Sequence, residues 1–157
     1  MGEVKLWPSR LSGIVAAPPS KSMAHRALIC AALAKGESTL SGIQLSDDIR
    51  ATLAGLEELG ARAALGGGAC RVQGGINELE SADMDANESG STLRFLLPVT
   101  LILAKQVRIT GRGNLGLRPL SPYLDIFEEQ GISYSLTSKT PLLLTASGKL
   151  KPGDDFV

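Results

Sequence analysis

The stretch PPSKSMAHRALICAALAKG, residues 18–36, shows most clearly how this chain folds. Its two prolines end any preceding strand, and Ser22 is a suitable N-cap for a helix over residues 23–34. Alanines and leucines recur there at helical spacing, and Gly36 stops the helix. The stretch therefore predicts a strand-to-helix junction that carries several polar residues.

The same order of elements follows twice along the chain, which predicts an α/β fold. Before the first helix, residues 3–7 and 11–16 are predicted strands. Each half then contains a helix, a strand, a second helix and two strands. The remaining predicted elements are a strand (37–45), a helix (49–59), strands (62–65 and 69–73), a helix (93–104), a strand (106–110), a helix beginning near Pro119 and ending at Gly131, and strands (133–136 and 142–145). In this comparison Arg26 and Arg94 occupy matching positions, so one small unit is used twice.

Composition excludes several classes of protein. Hydrophobic residues make up 43% of the 157 residues and charged residues 20%, which is ordinary for a globular domain. Sixteen basic residues balance sixteen acidic ones, so the chain lacks the basic excess typical of nucleic-acid binding. No apolar run is long enough for a membrane span, and no signal peptide is recognisable, so a cytoplasmic location is expected.

The cysteines and the single histidine do not form a metal-binding pattern. Cys30 falls in the first helix, where a buried thiol is expected, and Cys70 lies in or near a strand. Without a CxxC motif or a Cys/His cluster, we expect no metal site and no disulfide. His25 has no identifiable acidic partner, so a structural role is favoured over general-base catalysis.

The positive charges near the helix starts are the main functional signal. Lys21, Arg26, Arg94 and Arg118 all lie within about one turn of a predicted helix start. Helix N-termini carry partial positive charge and disfavour cations, unless a bound anion accepts hydrogen bonds from both backbone and side chains. Gly90 would let such an anion approach the backbone closely. Any one of these residues is explained as well by an ordinary surface position, but the four together indicate anion binding.

Neighbouring polar residues support less specific predictions. Asp47 and Asp48 stand where a helix dipole favours carboxylates, so a capping role is the simpler interpretation, although either could face a pocket. Ser22 and Ser91 have no visible base, which argues against nucleophilic catalysis.

Four motifs resemble those of the 5-enolpyruvylshikimate-3-phosphate synthase family (3-phosphoshikimate 1-carboxyvinyltransferases). They agree with the family in order and spacing over nearly the whole chain, which makes the resemblance specific. The motifs are Pro19-Ser20-Lys21-Ser22-Met23-Ala24-His25-Arg26-Ala27-Leu28, Ser46-Asp47-Asp48-Ile49-Arg50, Glu88-Ser89-Gly90-Ser91-Thr92-Leu93-Arg94 and Leu117-Arg118-Pro119-Leu120.

The resemblance implies transfer of the enolpyruvyl group of phosphoenolpyruvate to the 5-hydroxyl of shikimate 3-phosphate, with release of phosphate. This step belongs to chorismate and aromatic amino acid synthesis, and no metal or organic cofactor is implied. Lys21 would contact both substrates, and Ser22 and Arg26 would hold shikimate 3-phosphate. Gly90 and Arg118 would hold phosphoenolpyruvate. The remaining cleft residues would be Asp48, Ser91 and Arg94.

The resemblance also implies how the chain divides. The family has six βαβαββ units in two domains, and two are expected here, over residues 18–83 and 84–148. Residues 1–17 would be strands that pair with the second domain, and residues 149–157 would begin a third unit. The general acid and base carboxylates belong to the absent part, so no catalytic residue is assigned in this chain. Many members have Asn at the position of Glu88, and a carboxylate beside an anion site is unfavourable, so Glu88 is assigned no contact.

Two alternatives remain open. One is a relative that transfers enolpyruvyl to UDP-N-acetylglucosamine, although such enzymes have Lys-Asn where this chain has Lys21-Ser22. The other is a stand-alone anion-binding fragment without catalysis. The leading interpretation is an N-terminal portion of the first family, inactive alone, whose partners are its two small-molecule substrates and the rest of the enzyme.

Overall fold

Helices are interspersed with single strands and runs of strands along the part of the chain that the computed structural model describes, residues 3–10 and 12–152. The strands form two separate sheets, and one short 3-10 helix interrupts the second half. In order, the elements are α1 (Lys21–Leu33), β1 (Gly36–Ser41), α2 (Asp47–Glu58), β2 (Arg62–Gly66), β3 (Ala69–Gly74), β4 (Leu79–Asp85), α3 (Gly90–Leu103), β5 (Ala104–Gly111), the 3-10 helix (Leu115–Leu117), α4 (Ser121–Glu129), β6 (Ser133–Lys139) and β7 (Leu142–Ser147).

The two sheets show how the unit repeats. The second sheet has the order β4-β5-β7-β6, with β4 parallel to β5 and the other pairs antiparallel. The first sheet has the order β1-β3-β2 and is antiparallel throughout. β1 corresponds to β5, but within the described residues no strand takes the place beside β1 that β4 takes beside β5. The predicted α/β class with repeated βαβαββ units is confirmed, and the first unit lacks its leading strand.

The two strands predicted before α1 do not form in the described residues. Residues 3–10 and 12–20 contain no strand, and Leu11, which falls in the second prediction, lies outside the described residues. Apolar side chains are exposed there, with Trp7 at 70% and Val15 at 89%. A β-forming sequence needs a neighbouring strand and a buried face, and this segment has neither. The prediction was therefore wrong for this chain by itself.

Serines cap three of the helices. The Oγ atoms of Ser20, Ser46 and Ser89 each accept a hydrogen bond from the amide N–H three residues later, in α1, α2 and α3, at 3.3, 3.4 and 3.1 Å. Ser22, the predicted cap of α1, lies inside the first turn instead. A neutral serine cap satisfies one N–H without adding negative charge. In α2 the carboxylates of Asp47 and Asp48 compensate the positive end of the helix, whereas the first turns of α1 and α3 contain no acidic residue.

The fourth helix begins later than predicted. Arg118 adopts an extended conformation (φ −74°, ψ 143°), because the ring of the following proline disfavours helical geometry there. Pro119 therefore lies in the link between the 3-10 helix and α4, so the prediction that it occupies the first turn was wrong. Pro122 takes that position instead. Arg118 thus precedes α4 without belonging to it.

One hydrophobic core joins the two units. The predicted apolar face of α2, formed by Ile49, Leu53, Leu56 and Leu59, is buried in it. Side chains from α1, α3 and both sheets complete the same cluster. The core holds α1, α2 and α3 in mutual contact, so the starts of these helices have a fixed relation.

The two cysteines differ in exposure. Cys70 lies in β3, as expected, and is buried there. Cys30 is exposed on α1, so the prediction of a buried thiol there was wrong. Helical spacing from Leu28, which is fully buried, turns position 30 away from the core.

Candidate functional site

A buried chain of hydroxyl groups joins the starts of α1, α2 and α3. His25 Nδ1 lies 2.7 Å from Thr52 Oγ1, which lies 2.7 Å from Thr92 Oγ1. The Thr92 hydroxyl is also 2.7 Å from Ser89 Oγ and 3.2 Å from the backbone oxygen of Asp48. These short contacts couple three helix starts that are separated by many residues in the sequence. Sequence reasoning did not find Thr52 and Thr92, because a buried threonine in a helix has no distinctive pattern.

His25 is the uncharged end of this hydrogen-bonded network of side chains. It is fully buried, and among the described residues its Nε2 atom has no hydrogen-bond partner. Burial lowers the pKa of His25, with a smaller upward influence of the Asp48 carboxylate and a downward one of the Lys21 ammonium. An imidazole without access to solvent does not exchange protons readily with a substrate, so its role here is structural.

An ion pair links the first turns of α1 and α2. The Nζ atom of Lys21 is 2.5 Å from Oδ2 of Asp48, and both side chains are partly exposed. Lys21 is the first residue of α1, where a cation opposes the helix dipole, and Asp48 offsets that charge. The predicted site residues Lys21 and Asp48 are thus in direct contact, and a small cleft of about 50 Å³ lies beside Lys21.

Arg118 lies directly against the first residue of α3. A Cβ atom added to Gly90 would stand 2.3 Å from Nη1 of Arg118, so no other residue fits there with the guanidinium in place. A cation therefore touches the positive end of a helix, an arrangement that is unfavourable until an anion binds between them. The structure thus brings together Gly90 and Arg118, the two residues that the resemblance assigns to one substrate.

The remaining predicted residues lie along the same helix starts. Ser22 and Ser91 are the second residues of α1 and α3, and Arg26 extends from the second turn of α1 into solvent. Arg94 is half-buried on α3, where its backbone oxygen accepts a hydrogen bond from the Tyr123 hydroxyl at 3.1 Å. All of the predicted basic residues therefore lie at or beside helix starts.

The internal repeat needs one correction. Counted from the capping residues Ser20 and Ser89, Arg94 corresponds to His25, and Phe95 corresponds to Arg26. The expectation that Arg26 and Arg94 are equivalent was therefore wrong by one residue. The sequence comparison matched like residues, whereas the caps set the true register of the helices.

Three arginines of the site remain available to an external anion. Within residues 3–10 and 12–152, Arg26, Arg94 and Arg118 form no ion pair. By contrast, Arg108 and Arg112 on β5 and the loop after it bind Asp83 and Asp85 at 2.7 and 2.8 Å. Arg62 and Arg71 on the first sheet also form no ion pair among the described residues, so the three site arginines are distinguished by their position at helix starts as well as by their free charge.

The side chain of Glu88 contacts the glycine-rich loop after β5. A Cβ atom added to Gly113 would stand 2.5 Å from Oε1 of Glu88, so the carboxylate lies over the loop that follows β5. Glu88 forms no ion pair with Arg118 or with any other basic residue in the described part of the chain. This is consistent with assigning Glu88 no contact.

Cavities give little further guidance. A depression of about 570 Å³ crosses the second sheet and is lined by residues such as Ser81, Arg108 and Thr145, none of them a predicted site residue. A smaller cleft of about 250 Å³ runs beside Arg118 and Lys139. No cluster of metal-binding side chains occurs in the described residues. Of the helices described, none is long and apolar enough to span a bilayer.

Comparison with known proteins decides the family. The sequence profile of EPSP synthase (3-phosphoshikimate 1-carboxyvinyltransferase) matches residues 7–151. The chain belongs to the EPSP synthase family. A 3-phosphoshikimate 1-carboxyvinyltransferase of Clostridium perfringens is 50% identical over 157 residues, covering 98% of this chain and 37% of the relative. The protein of that name from Clostridioides difficile is 48% identical over 167 residues, covering 99% of this chain and 38% of the relative.

A solved structure agrees with the fold. EPSP synthase from Acinetobacter baumannii superposes with a TM-score of 0.71 at 24% identity, covering 87% of this chain and 32% of that one. The chain thus spans little more than a third of the length of the EPSP synthase relatives that it matches.

Proposed function

We propose that this chain forms one wall of the substrate cleft of an EPSP synthase, which transfers the enolpyruvyl group of phosphoenolpyruvate to the 5-hydroxyl of shikimate 3-phosphate. The observation that carries the proposal is the group of unpaired arginines at helix starts, Arg26, Arg94 and Arg118, in a chain of this family. Both substrates carry phosphate, and phosphoenolpyruvate also carries a carboxylate. Guanidinium groups bind such anions in bidentate geometry, and the proposal needs no metal or organic cofactor.

The cleft residues divide between the two substrates. Ser22 and Arg26 hold the phosphate of shikimate 3-phosphate beside the start of α1, and Gly90 and Arg118 hold phosphoenolpyruvate at the start of α3. Lys21 reaches both anions. Two observations support this role of Lys21. It is the first residue of α1, and its ammonium group is paired with the partly exposed carboxylate of Asp48.

Three further residues complete the wall. Asp48 lines the cleft through its ion pair with Lys21, 2.5 Å long. Ser91 and Arg94 lie beside the substrates on the first two turns of α3. A bound phosphate would compensate the positive charge that gathers at these helix starts.

The chain by itself is catalytically inactive in this proposal. Enolpyruvyl transfer requires proton transfers, and the family resemblance assigns the acid and base groups to the second domain. The buried His25 does not replace them, because among the described residues its Nδ1 contacts only Thr52 and its Nε2 contacts no polar atom.

We also propose where the rest of the enzyme attaches. Residues 1–17 would pair with the second domain, which accounts for the exposed side chains of Val4, Leu6, Trp7, Ile14 and Val15. The open edge of β1 would receive a strand from outside residues 18–148. Residues 149–157 would begin a third unit.

A chimera tests the proposal directly. Residues 1–148 of this chain, joined to the matching remainder of the 50% identical Clostridium perfringens relative, should release phosphate from phosphoenolpyruvate and shikimate 3-phosphate. The 157-residue chain alone should release none. Arg26→Ala should abolish most of the chimera's activity, whereas Arg108→Ala, a matched arginine outside the cleft, should leave it unchanged. A fully active Arg26→Ala chimera, or turnover by the isolated chain, would contradict the proposal.

A further inference from the structure

We propose that Phe95 is a positioning residue that holds the guanidinium of Arg26 in place for shikimate 3-phosphate. This inference rests on the function proposed above. Phe95 belongs to none of the four motifs and carries no charge, so no pattern in the sequence points to it.

The contact between the two side chains has cation–π geometry. Cζ of Arg26 lies 5.8 Å from the centroid of the Phe95 ring, inside the range of about 6 Å over which the ring quadrupole attracts a cation. On its own helix, Nη1 of Arg26 lies 4.0 Å from the sulfur of Met23. Arg26 has no carboxylate partner in the described part of the chain. The aromatic ring is therefore its main restraint.

The Phe95 ring is itself fixed by its surroundings. His25, which is fully buried, packs against it with ring centroids 6.4 Å apart and an interplanar angle of 56°. His25 is held by Thr52, and Thr52 by Thr92, which lies three residues before Phe95 on α3. The ring that contacts Arg26 is thus anchored to both α1 and α3.

The internal repeat places these residues opposite each other. Counted from their capping serines, Arg26 and Phe95 are the same position of two equivalent helices. One unit supplies the cation and the other supplies the aromatic face. His25 stays neutral near pH 7, because burial lowers its pKa, so it does not repel the neighbouring guanidinium.

Holding Arg26 in one orientation reduces the entropy that is lost when it binds an anion. Phe95→Leu keeps an apolar side chain but removes the aromatic face, so we expect affinity for shikimate 3-phosphate to fall about two- to fivefold. Phe95→Tyr keeps the aromatic face and should bind as the wild type does. Affinity for phosphoenolpyruvate, assigned to Gly90 and Arg118, should be unchanged in both variants.

Two measurements on the 157-residue chain test this proposal. In NMR spectra, the side-chain resonances of Arg26, assigned with Arg26→Lys, should show a ring-current shift in the wild type and in Phe95→Tyr. Phe95→Leu should lose that shift. Calorimetry with shikimate 3-phosphate should then give the two- to fivefold difference between Phe95→Leu and Phe95→Tyr, at equal unfolding midpoints.

The outcomes separate the two claims. Arg26 resonances that are identical in the wild type and Phe95→Leu would overturn the contact. Equal affinity of Phe95→Leu and the wild type would overturn the positioning role while leaving the proposed function intact. If the wild type shows the ring-current shift but does not bind shikimate 3-phosphate, the proposed function fails and the contact stands. Should Phe95→Leu not fold, Phe95→Met provides the same comparison.

Discussion

Replacing Gly90 with alanine should weaken phosphoenolpyruvate binding without unfolding the protein. The new Cβ would stand 2.3 Å from Nη1 of Arg118, whereas ordinary contact begins at 3.4 Å, so the guanidinium must retreat by about 1.1 Å. Arg118 is exposed and can move without disturbing the core. Alanine is also the better helix former, by up to about 1 kcal/mol, so the stability of α3 should be maintained.

The expected loss follows from the contact that is displaced. A charge-assisted hydrogen bond contributes about 1.5–3 kcal/mol, which corresponds to a roughly 10- to 150-fold change in affinity. The KM for phosphoenolpyruvate of the chimera should rise by that factor, and the KM for shikimate 3-phosphate should change little. Gly66→Ala is the matched control, because an added Cβ there meets no atom within 4 Å. An unchanged KM for phosphoenolpyruvate in Gly90→Ala would refute the assignment of Gly90 and Arg118 to this substrate.

Three further predictions concern the isolated chain. Thr52→Val leaves His25 and Thr92 without their shared hydroxyl partner, so the free energy of unfolding in urea should fall by about 1–3 kcal/mol. A smaller loss would show that the hydroxyl chain is not stabilising. Because burial puts the folded-state pKa of His25 below 6.5, its stability contribution should be complete above pH 6.5 and lost as pH falls through that lowered pKa. His25→Asn should remove this pH dependence of the urea midpoint, and an unaltered profile would exclude His25 as its source. A thiol reagent should modify exposed Cys30 in the native chain but Cys70, buried and with a raised pKa, only after unfolding; equal rates would contradict the fold around β3.

Local signals in the sequence predicted elements that depend on local interactions. The helix α2 is an example, because Ser46 caps it and Ile49 and Leu56 give it a clear apolar face. In α1 the sequence predicted Ser22 as the cap, and the structure shows that the extended capping residue is Ser20. Equivalence between the repeats was misjudged for the same reason, since the cap defines the register.

Elements that depend on distant partners were harder to predict. The strand β4 was implied only by the βαβαββ pattern of the second unit and was given no range, because its sequence LESADMD carries three carboxylates. These acids face Lys105, Arg108 and Arg112, at 2.7, 2.7 and 2.8 Å, and no local pattern shows that pairing. Similarly, a strand in this segment requires a neighbouring strand, and none lies beside residues 12–16 among the residues that the structure describes.

The candidate site was predictable in its charges but not in its support. The motifs identified Lys21, Arg26 and Arg118, because cations at helix starts are unusual. The contacts that hold them, among them the ring of Phe95 and the hydroxyl of Thr52, join residues far apart in the sequence. Such tertiary contacts leave no periodic signal in one sequence.

The central claim is that the basic residues at the helix starts bind the substrate anions. Calorimetric titration of shikimate 3-phosphate into the 157-residue chain, into Arg26→Ala and into Arg108→Ala tests it most directly. The two arginines match in charge, but Arg108 is paired with Asp83 on the second sheet, away from the helix starts. We expect the wild type and Arg108→Ala to bind with the same affinity and Arg26→Ala to bind at least about tenfold more weakly. Equal affinity of all three proteins would contradict the account.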